Sequence, residues 1–559
     1  MSLLKQKASF LVSKLGSSFF LLSLVLILSF VFYRISIRFE YVNLDDTLLV
    51  KYRLLYIFNP ANIINSFKSN VMYLSDSTAF YYRPVLTISF ILDALIFKDN
   101  FWGYHLTNIL LHLVSVVLFY RLMLRLRLEK YVCFFLTLVF ALHPVLMQTI
   151  VWVPGRNDSL LFIFLISALF YFLNYLESSS LKDFIFFVFF TFLAVFVKET
   201  AIMFLPVLFL FIFLVRRDKK AFKRSLPLLG VFFLMFALWY LMATSFSDKQ
   251  GSYWSYLTST NWFDAIPKTI IPGYLIYLGK IFYPFALSVF PVVDLRDANI
   301  FPGIVAFILL VFSFLFFVKE GRKKVFIFGL LWFFILLFPT FINLMPGEPN
   351  IIYEHRLYLP IVGLLISFSQ IEFVKRSLSN SKVAFFLSLI ITLVFFYGNR
   401  RHIFNFKDSL SFWESAYSTS SKHFVTEVGL SGVYLSRGDL DKAEPVFKKL
   451  DEIKPNTIIS HLGYASLFYH KGEYEKSLQE LDEVLKINPK LPRAMQYIAS
   501  IKEHQGKYDE AEKYYLEAVE IDDKNVDLLM SLVSFYVKRG KIDKAKEVYK
   551  KVQDMGISF

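Results

Sequence analysis

The chain has 559 residues, of which 56% are hydrophobic and 19% charged, and its formal net charge is +15. Soluble globular proteins have roughly a quarter of their residues charged, and runs such as 184–190 (FIFFVFF) require lipid as their solvent. The composition therefore excludes a single soluble domain. The positive charge lies in short clusters between apolar stretches and in no nucleic-acid-binding motif, and a single cysteine, Cys133, excludes an intramolecular disulfide framework.

Eleven apolar stretches predict helices that span a membrane. The first follows three lysines and lacks a small-residue cleavage signal, so we expect a retained span and not a signal peptide. A twelfth stretch, 270–290, is ambiguous because it contains two prolines and is flanked by two more. The predicted spans are residues 17–39, 103–122, 131–149, 159–176, 183–198, 200–215, 225–245, 301–318, 325–343, 359–374 and 383–398.

Five clusters of basic residues indicate the orientation, since Lys and Arg are enriched in cytoplasmic loops. All five face the cytoplasm if 270–290 does not cross, whereas the last two face outward if it does. We therefore predict that 270–290 is a kinked element at the outer surface, and that segments 40–100 and 246–300 and the C-terminal part also lie outside. The clusters are Lys5/Lys7/Lys14, Arg121/Arg125/Arg127/Lys130, Arg216/Arg217/Lys219/Lys220/Lys223/Arg224, Lys319/Arg322/Lys323/Lys324 and Lys375/Arg376/Lys382.

The first outer segment holds two adjacent carboxylates, Asp45 and Asp46, six residues beyond the predicted end of the first span. One can accept a proton from an acceptor hydroxyl, while the other orients the site or holds a cation. The alternative is a pair of N-cap residues on a small surface helix, and the spacing favours neither reading. The segment continues through Arg83 to an apolar stretch ending at Phe97, which suits a helix lying in the membrane interface.

Polar side chains recur at the outer ends of later spans. His105, Asn108 and His112 share one face of the second span, and for His112 we favour the alternative of helix–helix hydrogen bonding. Arginine suits a phosphate at the membrane surface because its planar guanidinium can donate two parallel hydrogen bonds, while interfacial anchoring and local ion pairs are the alternative. The further outer-facing candidates are His143, Arg156, Asp158, Lys198, Glu199, Glu354 and Arg356.

The C-terminal part contains a 34-residue repeat. Four glycines recur at this interval, each followed five residues later by a small residue and nine residues later by a bulky one. The pattern resembles the tetratricopeptide repeat over about 424–559, and such repeats stack into an α-solenoid whose concave surface binds a peptide or protein. A rigid spacer or an oligomerisation module is the alternative. The three series are Gly438, Gly472, Gly506, Gly540; Ala443, Ser477, Ala511, Ala545; and Phe447, Leu481, Tyr515, Tyr549.

A series of short phrases, followed by these repeats, resembles the transmembrane and tetratricopeptide-repeat (TMTC) O-mannosyltransferases of the GT-C superfamily. The likeness covers nearly the whole chain, and where that family shows Glu-Arg this chain has Glu354-His355-Arg356. The phrases are Asp45-Asp46, Tyr82-Arg83-Pro84, Gly103-Tyr104-His105-Leu106-Thr107-Asn108, Phe140-Ala141-Leu142-His143-Pro144-Val145, Gly155-Arg156-Asn157-Asp158, Val197-Lys198-Glu199 and Glu354-His355-Arg356-Leu357-Tyr358-Leu359-Pro360.

The resemblance implies an inverting, metal-independent transfer of mannose or another hexose from a polyprenyl-phosphate donor to a Ser or Thr hydroxyl of an exported protein. It implies that Asp45, or alternatively Asp46, is the catalytic base, and that Arg156, Lys198 and Arg356 bind the donor phosphate. No cofactor is expected, although a divalent cation stays open, and no nucleic acid is expected as a partner. The other site candidates are Arg83, His105, Asn108, His143, Asp158, Glu199 and Glu354.

The resemblance and the composition together predict an all-α chain: a GT-C-type membrane bundle over 1–398, a linker over 399–423 and four repeats over 424–559. The Phe, Lys and Ile usage favours a bacterial inner membrane with periplasmic repeats, whereas a eukaryotic chain would lie in the endoplasmic reticulum with luminal repeats. Two other functions stay open. A repeat-bearing oligosaccharide ligase or polymerase would need its key basic residues in a large late outer loop, and a non-catalytic scaffold would need no acidic pair.

Overall fold

The computed structural model describes residues 2–42, 44–50, 54–71, 81–245, 262–294, 296–342, 351–420, 423–523 and 525–554. In these ranges every extended regular element is a helix, and β-type pairing is limited to an isolated antiparallel bridge between Val292 and Ile351. The all-α prediction is confirmed. Contacts divide the chain into a first unit of Met1–Tyr41, Tyr82–Ser89 and Asn100–Lys407, and a second of Val42–Tyr81, Phe90–Asp99 and Asp408–Phe559.

The first unit is a bundle of apolar helices, and the chain is a multi-pass membrane protein. Each of the eleven predicted spans falls on a helical segment. Two segments, Lys130–Leu142 and Pro144–Val151, form a pair bent by 50° at His143, and three further helices are shorter, namely Leu181–Val197, Ile300–Phe316 and Ile361–Phe368. The count of eleven stays a prediction. Within the described ranges, seven helices are long and apolar enough to cross singly, namely Ser18–Arg38, Phe101–Arg125, Val153–Ser178, Glu199–Arg216, Lys219–Ser245, Glu320–Phe341 and Ser381–Phe406.

The ambiguous stretch near 270–290 is helical only in its first half. Helix Trp262–Ala265 continues through a π-helical turn, Ile266–Ile270, into helix Ile271–Phe282. This segment carries three charged residues and is not among the helices apolar enough to cross. Its glycine Gly279 allows close packing, since a Cβ there would lie 1.9 Å from the carbonyl oxygen of Asn299. Residues 246–261 of the predicted outer segment lie outside the described residues.

The fourth and fifth basic clusters lie at the same end of the first unit. They meet around Glu372, which begins the short helix Glu372–Ser379. Its carboxylate lies 3.1 Å from Lys319 Nζ and 2.9 Å from Arg322 Nη1 of the fourth cluster, and 2.8 Å from Arg376 Nε of the fifth. Because Lys319 and Arg376 are exposed, their ion pairs with Glu372 contribute little stability. These contacts nevertheless fix which ends of the helices are neighbours.

The second and third basic clusters meet around Glu177 in the same way. The Glu177 carboxylate lies 2.9 Å from Arg125 Nη2, and its carbonyl oxygen accepts a hydrogen bond of 2.9 Å from Arg224 Nη1. The rings of Tyr131 and Phe385, 6.2 Å apart, then join this group to the end that carries the fifth cluster. Four clusters thus share one end, which is the arrangement expected when 270–290 does not cross.

The first and last spans of the bundle run parallel. The rings of Phe32 and Phe396 are 5.9 Å apart, and those of Phe39 and Phe404 are 6.1 Å apart. The contacts therefore follow the same N-to-C direction along both spans.

The second unit contains the four predicted helix pairs. Each pair turns at the predicted glycine, whose φ lies between 68° and 77°, a left-handed conformation that favours glycine. The small residues are buried where the two helices of a pair approach each other, and Phe447, Leu481 and Tyr515 pack behind them. The pairs are Phe424–Arg437 with Leu440–Ile453, Ile458–Lys471 with Tyr474–Ile487, Pro492–His504 with Tyr508–Ile521, and Val526–Lys538 with Ile542–Asp554.

The predicted linker, 399–423, is largely structured. It contains the helix Ser409–Ser420, which packs on the first repeat through the buried residues Phe412 and Trp413. The helix has only 12 residues, so its apolar pattern is much weaker than the 34-residue period of the repeats that follow. The first outer segment also forms short helices, which are Asp45–Leu49, Leu54–Ile57, Asn62–Asn65 and the apolar Pro84–Phe97.

Candidate functional site

The two adjacent carboxylates of the second unit have different surroundings. Asp46 is 1% exposed; its Oδ2 accepts a hydrogen bond of 2.6 Å from the Val42 amide and its Oδ1 one of 3.0 Å from the Leu44 amide. Asp45, the first residue of helix Asp45–Leu49, is only half-buried. Asp46 therefore holds the chain that enters this helix, whereas Asp45 is partly accessible to solvent.

Burial raises the pKa of Asp46 to about 6, although the Val42 and Leu44 amides lower it, and the Asp45 charge raises it further. Between its ordinary value and about 6 the folded chain binds this proton more tightly than the unfolded chain. The free energy of unfolding therefore falls as pH rises through this window, by up to about 3 kcal/mol. Asp46→Asn removes the titrating group while keeping its shape.

We expect the melting temperature of Asp46→Asn, relative to that of the unmodified chain, to rise between pH 4.5 and pH 7.5. Thermal unfolding of the two detergent-solubilised proteins at both values measures this difference. An asparagine cannot accept both amide hydrogen bonds, and this loss lowers the stability of the variant by a similar amount at each pH. A difference in melting temperature that does not change with pH contradicts the burial of Asp46.

Two ion pairs lie together in the first unit. Arg83 and Glu199 form a bidentate pair, with Nε to Oε2 at 2.9 Å and Nη2 to Oε1 at 2.5 Å. Lys198 Nζ donates to both oxygens of Asp158, at 2.7 and 2.9 Å, and both side chains are more than nine-tenths buried. The chain positions these groups at helix ends: Lys198 follows Leu181–Val197, and Asp158 lies in the first turn of Arg156–Ser178.

A third cation, Arg356, has no carboxylate partner among the described residues. Its Nη1 lies 3.4 Å from the Thr340 carbonyl oxygen, and its Cζ lies 5.5 Å from the centre of the Tyr353 ring. The neighbouring His355 Nε2 is 3.9 Å from Asp158 Oδ2. Burial lowers the pKa of His355 well below its ordinary value, and the charges of Lys198, Arg356 and Arg83 lower it further.

Three cations, Lys198, Arg356 and Arg83, thus surround His355 in this unit. They face the two carboxylates Asp158 and Glu199, so the cluster as described holds one positive charge in excess. Arg356 is half-buried and only weakly hydrogen-bonded, whereas the other two cations are already paired. An anionic group entering this cluster would therefore meet Arg356 as its main counter-ion. Arginine is well suited to bind a phosphate in this way.

Arg156 has a different environment from the one predicted for a phosphate ligand. It is fully buried; its Nε donates to Asn108 Oδ1 at 2.9 Å and its Nη2 to the Tyr104 carbonyl oxygen at 3.0 Å. Asn108 in turn donates to the carbonyl oxygens of Trp152 and Val153. Arg156 and Asn108 therefore fasten the second span to the turn before helix Arg156–Ser178, and this placement gives no support to phosphate binding by Arg156.

Three histidines from the sequence analysis are buried in the first unit. His105 is buried with its ring 6.4 Å from that of Phe39. His143 lies at the bend of the third span, where Nδ1 accepts from the Val145 amide at 3.2 Å and Nε2 donates to the Ile281 carbonyl oxygen at 2.9 Å. His112, as expected for helix–helix bonding, contacts the Tyr358 hydroxyl and the Ala141 carbonyl oxygen.

Glu354 forms a fully buried ion pair with Lys280. Lys280 Nζ donates to its Oε1 at 2.6 Å, the Ser288 amide donates to the same oxygen at 2.9 Å, and His402 Nε2 lies 3.4 Å from Oε2. Burial alone would raise the pKa of Glu354, but Lys280 and His402 lower it below its ordinary value. The pair anchors the segment that begins with Glu354 and carries Arg356.

Glu354→Gln is expected to destabilise the protein by about 3–5 kcal/mol, because it leaves the Lys280 charge buried without its counter-ion. Thermal unfolding in detergent measures the loss as a lower melting temperature. Asp264→Asn is the matched control, since it breaks an exposed carboxylate–lysine pair with Lys268 that contributes about 1 kcal/mol or less. Equal stability of the two variants would contradict an anchoring role for Glu354.

Two residues that the sequence did not single out also hold this segment. The side chain of Gln148 accepts from the His355 amide at 3.2 Å and donates to the Val289 carbonyl oxygen at 3.2 Å, and Thr149 Oγ1 donates to the His355 carbonyl oxygen at 3.3 Å. Both lie in the short helix Met147–Val151, after the bend at His143. The sequence could have indicated them, because two adjacent polar side chains are unusual within an otherwise apolar predicted span.

Gly155 makes this short helix and the following turn pack closely. A Cβ at Gly155 would lie 2.7 Å from the Gln148 carbonyl oxygen and 2.8 Å from that of Thr149. Gly155→Ala should therefore destabilise the protein by about 1–3 kcal/mol, the usual cost of overpacking. Gly230→Ala is the control, because a Cβ there meets nothing within 4 Å. Melting temperatures of the two variants test this; an unchanged value for Gly155→Ala contradicts the packing.

In the part of the chain that the structure describes, no group of three or more His, Cys, Asp or Glu side chains is arranged to hold a metal ion. Metal independence stays a prediction, since it rests on the family resemblance. Asp158 and Glu199 are paired with cations, and Asp46 accepts hydrogen bonds from backbone amides.

Comparison with known proteins supplies the context for this cluster. Residues 84–254 match the family model described as dolichyl-phosphate-mannose-protein mannosyltransferase, and 428–457 and 504–555 match tetratricopeptide-repeat models. Mouse protein O-mannosyl-transferase TMTC2 is 40% identical over 77 residues. The chain resembles the protein O-mannosyltransferases. The resemblance predicted from the sequence is therefore confirmed, and the range 84–254 includes Asp158, Lys198 and Glu199.

Two further similar proteins are also named as protein O-mannosyl-transferases. Protein O-mannosyl-transferase F38B6.6 of Caenorhabditis elegans is 36% identical over 93 residues, and mouse TMTC3 is 34% identical over 97 residues. These matches cover 14–17% of this chain, and the chain spans only about a tenth of the length of each of these O-mannosyltransferases.

Solved structures resemble the chain only weakly. The crystal structure of MamA is 16% identical with a TM-score of 0.22, and the match covers 28% of this chain and 91% of MamA. The crystal structure of yeast Tom70 is 13% identical with a TM-score of 0.21, covering 79% of this chain and 92% of Tom70. Scores this low do not establish a shared fold.

Proposed function

We propose that this protein is a membrane glycosyltransferase that moves a hexose, such as mannose, from a polyprenyl-phosphate donor to a Ser or Thr hydroxyl of an exported protein. The observation that carries the proposal is the excess positive charge at Arg356, in a cluster where Arg83 and Lys198 are already neutralised by Glu199 and Asp158. The match of residues 84–254 to a mannosyltransferase family model supports the reaction class.

The charge change in this reaction fits an uncompensated arginine. The acceptor oxygen forms a bond to the anomeric carbon while the bond from that carbon to the phosphate oxygen breaks. The donor phosphate carries one negative charge, and the released polyprenyl phosphate carries a second that develops in the transition state. A cation such as Arg356 therefore binds the transition state more strongly than the donor, which is the condition for catalysis.

Asp45 is proposed as the base that accepts the hydroxyl proton of the acceptor. Its carboxylate is half-buried at the start of helix Asp45–Leu49, whereas the Asp46 carboxylate is engaged by two backbone amides. Asp46 is thus better suited as a positioning residue. The reaction then balances without a metal ion: the proton goes to Asp45, and the negative charge leaves on the polyprenyl phosphate.

The repeats are proposed to lie outside the cytoplasm, on the side of the acceptor protein. The parallel first and last spans support this, since the chain leaves the last span opposite to the side where it enters the first. The basic clusters around Glu372 and Glu177 support a cytoplasmic start. The membrane is proposed to be a bacterial inner membrane, with the repeats in the periplasm.

The acceptor is proposed to bind the concave surface of the repeats as an extended chain. A groove of about 630 Å³ lies along the helices Pro492–His504 and Val526–Lys538 of the third and fourth repeats. It is lined by the hydroxyl groups of Tyr497 and Ser531, the amide of Gln496 and the charged side chain of Arg493. Such a lining suits the hydrogen-bonding groups of a peptide backbone better than an apolar helix.

Mass spectrometry of exported proteins from cells with and without this chain tests the function. We expect hexose-modified Ser and Thr residues that disappear when the gene is deleted and return with the intact chain, but not with an Asp45→Asn variant. Unchanged protein modification with an altered surface polysaccharide would point to a ligase or polymerase. Unchanged glycans of both kinds would leave the scaffold function and overturn the proposal.

A further inference from the structure

Four arginines lie at the opposite end of the bundle from the clustered basic residues. Arg34 and Arg38 end the first span, and Arg400 and Arg401 lie near the end of the last one. The two spans place these arginines at the same level of the bundle. On each span the arginines lie between two ring contacts to the other span, Phe32–Phe396 at 5.9 Å and Phe39–Phe404 at 6.1 Å. The positive-inside rule predicts few basic residues at this end, which lies opposite to the predicted cytoplasmic clusters.

The four guanidinium groups are exposed, and within the described ranges none has an ion pair or a hydrogen bond. The nearby charges of Glu40 and Lys407 offset each other, in segments joined by a backbone hydrogen bond of 2.9 Å. Like charges at the same end of two contacting spans repel one another. Without a bound anion, this cluster costs stability and helps neither orientation nor ion pairing.

The surroundings of the arginines are apolar and aromatic. Arg400 and Arg401 line a cleft of about 500 Å³ together with Tyr397 and Phe404, which are 64% and 46% exposed. One turn deeper, the side chains of Leu393 and Phe396 are 60% and 53% exposed on the apolar surface of the span. Aromatic side chains of this kind mark the boundary between hydrocarbon and headgroups. The cleft is therefore lined by two arginines and two aromatic side chains, and the exposed apolar surface of the span lies next to it.

We propose that this cleft binds an anionic glycerophospholipid, with the headgroup phosphate on the arginines and an acyl chain along the exposed face of the last span. Arginine forks donate paired hydrogen bonds to a phosphate diester. A soluble phosphate would leave the apolar wall unused, and a zwitterionic lipid would bring no net charge to compensate the four cations. The bound lipid would hold the first and last spans together at the point where the first outer segment begins.

Native mass spectrometry of the detergent-solubilised full chain, titrated with phosphatidylglycerol, tests this. Each basic residue near an anionic surface contributes about 1 kcal/mol, so Arg400→Gln with Arg401→Gln should weaken binding by about thirtyfold. Arg400→Lys with Arg401→Lys keeps the charge and should retain most of the affinity. Arg216→Gln with Arg217→Gln changes a matched exposed arginine pair at another span end and should leave it unchanged.

The outcomes are distinct. The lipid site is supported if the chain binds phosphatidylglycerol more tightly than phosphatidylcholine. This preference should be lost when Arg400 and Arg401 are changed to Gln and kept when they are changed to Lys. Equal binding of the two lipids, or equal losses in both Gln variants, overturns it. Displacement of phosphatidylglycerol by a polyprenyl phosphate at lower concentration identifies a site for the donor lipid instead, and displacement by inorganic phosphate identifies a site for a free anion. Either result also overturns the proposal.

Discussion

Asp45→Asn is expected to lower the rate of sugar transfer by about 10²–10⁴-fold, which is the contribution of a positioned general base. Asparagine keeps the size of the side chain and the start of helix Asp45–Leu49, but it cannot accept the hydroxyl proton. The loss should appear in kcat, because the acceptor is bound but not activated. Transfer from a polyprenyl-phosphate hexose to a Ser/Thr peptide, followed by mass spectrometry, measures the rate.

Asp46→Asn separates the base from its neighbour. Because Asp46 accepts the amide hydrogen bonds of Val42 and Leu44, its substitution should lower stability and reduce transfer by a smaller factor than Asp45→Asn. Equal melting temperatures of the Asp45→Asn variant and the unmodified chain would show that loss of folding is not the cause of lost activity. Full transfer by Asp45→Asn together with none by Asp46→Asn would reverse the assignment.

Arg356→Gln is expected to lower kcat by about 10²–10³-fold, the usual effect of removing one group that stabilises charge in a transition state. The effect on KM should be small, since the donor phosphate carries less negative charge than the leaving polyprenyl phosphate. Arg356→Lys should recover part of the rate, because it restores the charge but not the planar fork. Steady-state transfer kinetics with varied donor concentration distinguish these effects.

The control for Arg356 is Arg296→Gln. Arg296 also lies in a late outer segment, but it is exposed and pairs with Asp294 at 3.2 Å, so its loss should leave transfer unchanged. Arg83→Gln should be more damaging to folding than Arg356→Gln, because it leaves Glu199 without its bidentate partner. A rise in KM alone for Arg356→Gln would mean that the arginine binds the donor without stabilising the transition state.

Much of the fold follows from periodic features of the sequence. Each predicted span is helical because a long apolar run in lipid must satisfy its backbone hydrogen bonds within the segment. The glycines at 438, 472, 506 and 540 recur because the turn between two helices requires a left-handed residue there. Such features repeat or extend over many residues, so one sequence is enough to find them.

The candidate site depends on contacts between distant residues, and a single sequence does not encode them visibly. Arg156 and Arg356 look alike as interfacial arginines, yet Arg156 is enclosed by Asn108 and Tyr104 while Arg356 has no carboxylate partner in the described ranges. Likewise, Asp45 and Asp46 are adjacent and chemically identical. Only the fold of the preceding residues shows that the Asp46 carboxylate is engaged by two amides.

Sugar transfer by the purified full chain in proteoliposomes tests whether this protein is a glycosyltransferase that uses Asp45 as its base. Hexose linked to polyprenyl phosphate in the membrane and a Ser/Thr peptide are supplied, and the glycopeptide is analysed by mass spectrometry and NMR. We predict one hexose on a hydroxyl, with inverted anomeric configuration, formed by the unmodified chain and lost with Asp45→Asn. Glycopeptide formation at the same rate with Asp45→Asn, or none by the unmodified chain with any tested acceptor, would contradict the account.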